Sequence, residues 1–330
     1  MKNDQYKLKK FAATLSLAVG IGMFIFKFSA YLITGSAAIF SDAAESIVHV
    51  LATSMALYSI IISSKPPDKS HLYGHGNVEY FSAGIEGALI VIAAFVIIYE
   101  AGSDIIKGPE LQRLGTGMLI ITAAGIVNLF LGLYLVKTGK KTNSLTLVAD
   151  GKHVLTDAYT SIGVVIGIIL VMITGIVYFD PIFAIAVALN ILFTGYNLVR
   201  ESIGGLMNET NPEILNKISN KLIMIRRPYY IDIHELRFWK SSEDIFIDFH
   251  LTLPYYMDIR QSHSEEDYIT EELTKELPNS QLKIHLDFCV PQLCRHCEYS
   301  ECEVREYDKT ESVNWTVNKL TGKPLLNLPH

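Results

Sequence analysis

The chain has 330 residues, of which 50% are hydrophobic and 19% charged, and its formal net charge is −6. The acidic balance, with no Lys/Arg stripe or aromatic-basic motif, argues against a nucleic-acid partner. Apolar runs fill residues 11–200 and the charge gathers in residues 201–330, which predicts a membrane part followed by a soluble part.

A membrane-spanning helix needs about 20 mostly apolar residues, because it rises ~1.5 Å per residue across ~30 Å of hydrocarbon. Six segments qualify, over residues 11–34, 36–63, 79–103, 115–136, 145–174 and 180–199. The first is too long for a signal-peptide core and is kept as a helix. Positive residues are retained on the cytoplasmic side of a membrane. One side collects Lys2, Lys7, Lys9, Lys10, Lys65, Lys69, Lys137, Lys140, Lys141 and Arg200, and the other only Lys107 and Arg113. Both termini are therefore expected in the cytosol, in a multi-pass protein embedded in the lipid of the cell inner (plasma) membrane.

Beyond the spans, Asn211-Pro212 opens an amphipathic helix to about Ile225. Strands over 231–239 and 245–253 alternate around a turn at 241–244, and a polar helix over 262–277 leads to a strand over 282–287. This is a small α+β domain with one sheet and helices on one face. The expected organisation is a six-helix transmembrane domain at 1–207, a cytoplasmic α+β domain at 208–288 and a Cys-rich extension at 289–330.

Ionisable side chains inside a membrane cost at least ~2.5–3.5 kcal/mol each, so they face the bundle interior and have a task. The second span holds Asp42, Glu45 and His49; the fifth holds Asp150, Lys152, His153 and Asp157. Residues four apart lie one turn above each other, which pairs Glu45 with His49 and His153 with Asp157. Two imidazoles and two carboxylates form a tetrahedral donor set suited to zinc and related first-row ions. Buried polar contacts that merely join two helices are the competing reading; two ligand-type pairs at one spacing favour the metal. Asp42 shares the face as a partner that orients the ligands, as part of the ion path or as a structural group.

All four cysteines fall in Cys289-x4-Cys294-x2-Cys297-x4-Cys302, with His296 inside the run. On the reducing side of the membrane, four thiols within fourteen residues point to a metal site, zinc first, with an iron–sulfur cluster or a thiol relay as alternatives.

The chain resembles the cation diffusion facilitator family of six-helix metal/proton antiporters. The resemblance rests on Ser36-Ala37-Ala38 leading into Asp42–His49, on Asp68-x-x-His71-x-x-x-His75-Gly76, and on His153-x-x-x-Asp157. It implies a cytoplasmic metallochaperone-like (ferredoxin-like) domain, a homodimer, and efflux of a divalent cation by alternating access coupled to protons. Zinc is the default, with iron(II) or manganese as rivals. Asp68, His71 and His75 match the family's second metal site, to which Glu79 is a candidate addition. His234, His250, His263, His285 and Asp287 fall where the family binds metal near its dimer contact; His285 and Asp287, two apart in a strand, share a face. Glu45 and His49 depart from the family's usual His/Asp or Asp/Asp pair, and Asn77 stands where the family often has Lys. The expected role is transport, not enzymatic: no His-Glu-x-x-His occurs. The alternative is a membrane-anchored cytosolic metal sensor, which would need no ligands at bilayer depth.

Overall fold

A computed structural model describes residues 2–34, 37–108, 116–176 and 178–326; some helical side chains, those of residues 37–45 among them, lie outside the described set. The chain divides into two compact units, Met1–Met207 and Asn208–His330.

The first unit contains α1 (Lys2–Thr34), α2 (Ala37–Ser63), α3 (Val78–Lys107), α4 (Thr116–Lys141), α5 (Leu145–Thr174) and α6 (Phe179–Leu206). Each predicted span falls on one of these helices, and the predicted starts at 36 and 115 lie outside the described residues. Among the described residues, Asp4–Phe26, Val78–Lys107, Thr122–Lys141 and Pro181–Leu206 are long and apolar enough to cross a membrane, and His49–Ser63 adds a shorter apolar stretch.

The distribution of side chains is inverted relative to a water-soluble bundle. Phe95, Phe130 and Phe193 point outward, whereas Ser16, Thr53, Ser59, Glu86, Thr146 and Asp150 are buried. Lipid is as apolar as leucine, so helices in it associate through close packing and polar contacts instead of hydrophobic burial. Small residues permit that closeness where α4 meets α5. A Cβ on Gly139 would lie 2.7 Å from the Val148 backbone nitrogen, and one on Gly151 equally close to that of Val136. Helix α3 packs along α6, and α1 along α2.

The second unit follows the order α7 (Pro212–Met224), β1 (Asp232–Ser241), β2 (Asp244–Leu253), α8 (Ile259–Glu276), β3 (Ser280–Phe288) and α9 (Val317–Thr321). Asn211 caps α7 by accepting the Glu213 and Ile214 N–H groups, with Pro212 in the first turn where its missing donor costs nothing. Helix α8 starts at Ile259, three residues before the sequence-based start, because Asp258 and Gln261 form a reciprocal capping box. The sheet order is β1-β2-β3, with β1 antiparallel and β3 parallel to β2. Its core joins Ile218 and Leu222 of α7, Ile269 and Leu273 of α8, and Phe249 and Leu251 of β2, with Trp315 and Leu320 of the C-terminal segment.

Candidate metal sites

In the helical unit, α2 presents His49 and α5 presents His153 and Asp157. The two imidazole rings are nearly parallel, 6° apart with centroids separated by 5.1 Å. One ligand atom from each of the three residues lies within 4.8 Å of the other two. His49 is 9% exposed. Its space is set by α1, where a Cβ on Gly20 would come within 3.3 Å of His49 Nδ1. Glu45 lies one turn before His49 on α2, and its side chain, like that of Asp42, is outside the described residues. Glu86 on α3 is also fully buried. A spacing argument that starts from histidines does not single it out, although an ionisable group in an apolar span is itself a signal.

The segment between α2 and α3 is shaped by Asp68, whose Oδ1 accepts the N–H groups of Ser70 and His71, both at 2.8 Å. Those backbone donors hold the Asp68 carboxyl below its ordinary range. The same carboxylate meets His71 Nδ1 at 3.4 Å and His75 Nε2 at 3.3 Å, and the two rings lie 4.4 Å apart. Glu79 does not join this group. It is buried in the first turn of α3, where it accepts Lys9 Nζ at 3.5 Å, Ser63 Oγ at 3.0 Å and Ser144 Oγ. Lys9 of α1 thus supplies a cation to Glu79, two residues after Asn77.

The soluble unit assembles a third group. Strand register places His234 opposite His250 and His250 beside His285, which makes a row of imidazoles across β1, β2 and β3. Ring centroids are 5.0 Å apart in the first pair and 4.5 Å in the second. Asp287 Oδ2 lies 3.0 Å from His250 Nδ1 and 3.4 Å from His234 Nε2, and Asp287 Oδ1 is 3.5 Å from His285 Nε2. His234, His250 and Asp287 bring their ligand atoms within 4.8 Å of one another, and His285 stands at the exposed edge. His263 lies elsewhere: its ring nitrogens face Glu266 at 3.3 Å and Asp267 at 3.8 Å on its own helix.

Asp232 is the residue missed in the sequence. Its Oδ2 faces His234 Nδ1 at 3.2 Å and so directs the other ring nitrogen, Nε2, toward Asp287. Burial works to raise the Asp232 carboxyl, but His234, Lys319 and the Leu325 N–H outweigh it and hold the group below its ordinary value. The signal was present, since Asp232 lies two residues before His234 as His285 lies two before Asp287. A β-bulge follows His234, with Glu235 at φ 53°, and interrupts the ladder beside this group until pairing resumes at Arg237.

The cysteines also converge. Cys289, Cys294, Cys297 and Cys302 line one cavity of about 20 Å³ together with Ile231, Leu293 and Arg305.

Clusters of His and carboxylate in a membrane bundle, in a loop at its base and on a soluble sheet define a membrane metal-handling protein. Comparison with known proteins is specific: the cation efflux transmembrane domain matches residues 13–207, and the cytoplasmic domain of cation efflux proteins matches 210–289. An uncharacterised transporter of Synechocystis is 32% identical, covering 83% of this chain and 89% of that one. The manganese efflux system protein MneP of Bacillus subtilis is 26% identical over 87% and 98% of the two chains. A cadmium, cobalt and zinc/H(+)-K(+) antiporter of the same organism is 29% identical over 74% and 77%. The chain belongs to the cation efflux family, the cation diffusion facilitators, whose members are multi-pass membrane transporters of divalent metal cations and not enzymes.

Proposed function

We propose that this protein exports a zinc-like divalent cation from the cytosol in exchange for protons, by alternating access around Glu45, His49, His153 and Asp157. The observation that carries the reading is the meeting of His49, His153 and Asp157 from two helices of a membrane-crossing unit. Mixed nitrogen and oxygen donors select zinc, iron(II) or manganese class ions over magnesium and calcium, which favour oxygen alone. Zinc is the first choice. Metal binding needs neutral imidazole and ionised carboxylate, so the entering ion displaces protons, and protons arriving from the far side displace the ion. The relative named as a zinc/H(+)-K(+) antiporter supports that coupling.

The protein acts as a homodimer in the inner (plasma) membrane with both termini cytosolic, which the match to a dimer-forming cytoplasmic domain supports. Asp68, His71 and His75 hold a second ion at the base of the bundle. His234, His250, His285 and Asp287 hold one on the sheet that regulates the carrier. The test is flux into proteoliposomes under an imposed pH gradient, with zinc, iron(II) and manganese compared. His153→Ala is expected to abolish uptake of every ion, and uptake equal to the parent's overturns the assignment.

A further inference from the structure

Past β3 the chain runs from Cys289 to Leu326 with little regular structure, a 3-10 turn over Pro291–Arg295 and the single turn and a half of α9. Such a segment has few backbone ladders to hold it, yet its thiols converge. Cys297 is buried and the other three cysteines are half-buried, and no disulfide joins them. Their common cavity, about 20 Å³, compares with the ~10–15 Å³ that one water-sized occupant needs. One ion fits there.

Burial raises the Cys289 and Cys297 thiols, and the polar groups around them work against it. The Arg305 guanidinium lines the cavity and donates to the carbonyls of Cys294 at 2.9 Å, Cys297 at 3.1 Å and Tyr299 at 2.8 Å. Among the described residues its hydrogen bonds go to carbonyls, so its charge is left to face the thiols. The backbone N–H groups of Tyr255 and Tyr299 approach the sulfurs of Cys289 and Cys297, and the Tyr256 hydroxyl that of Cys302. Donors to sulfur around a thiolate set orient the ligands and tune the metal.

The far end of the segment returns to β1. Lys319 Nζ reaches Asp232 at 2.5 Å and the Ile233 carbonyl at 3.3 Å, the Leu325 N–H donates to Asp232 at 2.9 Å, and the Glu235 N–H donates to the Gly322 carbonyl at 2.8 Å. Ile231, one residue before Asp232, lines the thiol cavity and packs on Leu293 and Cys297.

We propose that Cys289, Cys294, Cys297 and Cys302 hold one zinc ion in a tetrathiolate knot that fastens the C-terminal extension, and that the fastened extension sets the metal affinity of the His234, His250 and Asp287 group through Asp232. Four thiolates at ~2.3 Å satisfy zinc completely, the closed coordination of a structural site. The second half rests on the reading of the histidine row as a metal site.

Full-length protein in detergent, stripped of metal and titrated with cobalt(II), tests both halves. The parent is expected to show thiolate-to-cobalt charge-transfer absorption, displaced by one equivalent of zinc per chain. In Cys294→Ser/Cys297→Ser the absorption disappears, the extension becomes protease-sensitive, and affinity at the histidine row falls at least ~10-fold, the scale of lost outer-shell support. Lys319→Ala reproduces that fall with the thiolate absorption intact, and Asp287→Ala removes the histidine-row equivalent alone. Absent thiolate absorption in the parent, or sulfide-dependent iron absorption, overturns the knot whether or not the double variant folds. Intact histidine-row affinity in Lys319→Ala overturns the coupling. A metal count unchanged by Asp287→Ala overturns the histidine-row reading and leaves the knot standing.

Discussion

Gly20 offers a sharp test of the intramembrane site because a matched control lies one half-turn away. A methyl group at Gly20 would stand 3.3 Å from His49 Nδ1 and 3.5 Å from Cε1, whereas one at Gly22 meets nothing within 4 Å. Both substitutions raise intrinsic helix propensity by about 0.8–1.0 kcal/mol, so neither is expected to lower thermal stability. In Gly20→Ala the imidazole must retreat by a few tenths of an ångström to restore ordinary contact. Metal–ligand distances tolerate only about ±0.2 Å, so that retreat degrades coordination. We expect a roughly tenfold rise in KM for zinc, about 1.4 kcal/mol, with Gly22→Ala unchanged. The assay is zinc uptake into proteoliposomes carrying an internal metal-sensitive dye. Equal KM values in the two variants would refute the placement of His49 in the ion's path.

Two further outcomes concern the soluble unit, where both tryptophans of the chain, Trp239 and Trp315, reside, so fluorescence reports on it selectively. Trp315→Ala should lower its unfolding free energy by about 3–5 kcal/mol, because the buried indole fills the core and carries the Arg226 guanidinium 4.4 Å from its ring; urea unfolding followed through Trp239 measures this. The Glu272 carboxyl is pulled down to about 2 by Lys221 and Lys275. Its folded value lies below the unfolded one, so its contribution is present above about pH 4.3 and is lost as pH falls toward 2. Glu272→Gln should flatten that acid limb of the stability curve and leave the neutral plateau lower; an unaltered acid limb refutes the attribution.

The helices were legible because an apolar run of spanning length has few other readings, and His49, His153 and Asp157 because four-residue spacing on a helix fixes a face. The histidine row was legible only as a set of candidates. Its members lie sixteen and thirty-five residues apart, and what aligns His234 with His250 and His250 with His285 is strand register, decided by the core on the other side of the sheet. Asp232 went unread because a lone carboxylate near a strand start resembles ordinary polar alternation until its partner is known. His263 shows the converse: residue type and neighbourhood pointed to the row, but the capping box of α8 sets it among Glu266 and Asp267 of its own helix.

The row of imidazoles also has a meaning for assembly of the sheet. Side chains alternate faces along a strand, so a slip of β3 by one residue against β2 would carry His285 and Asp287 to the opposite surface. An ion gripped by His234, His250 and Asp287 is compatible with one alignment of the three strands only. On the proposed reading of this group as a metal site, a bound ion would favour the correctly threaded sheet over its misaligned neighbours.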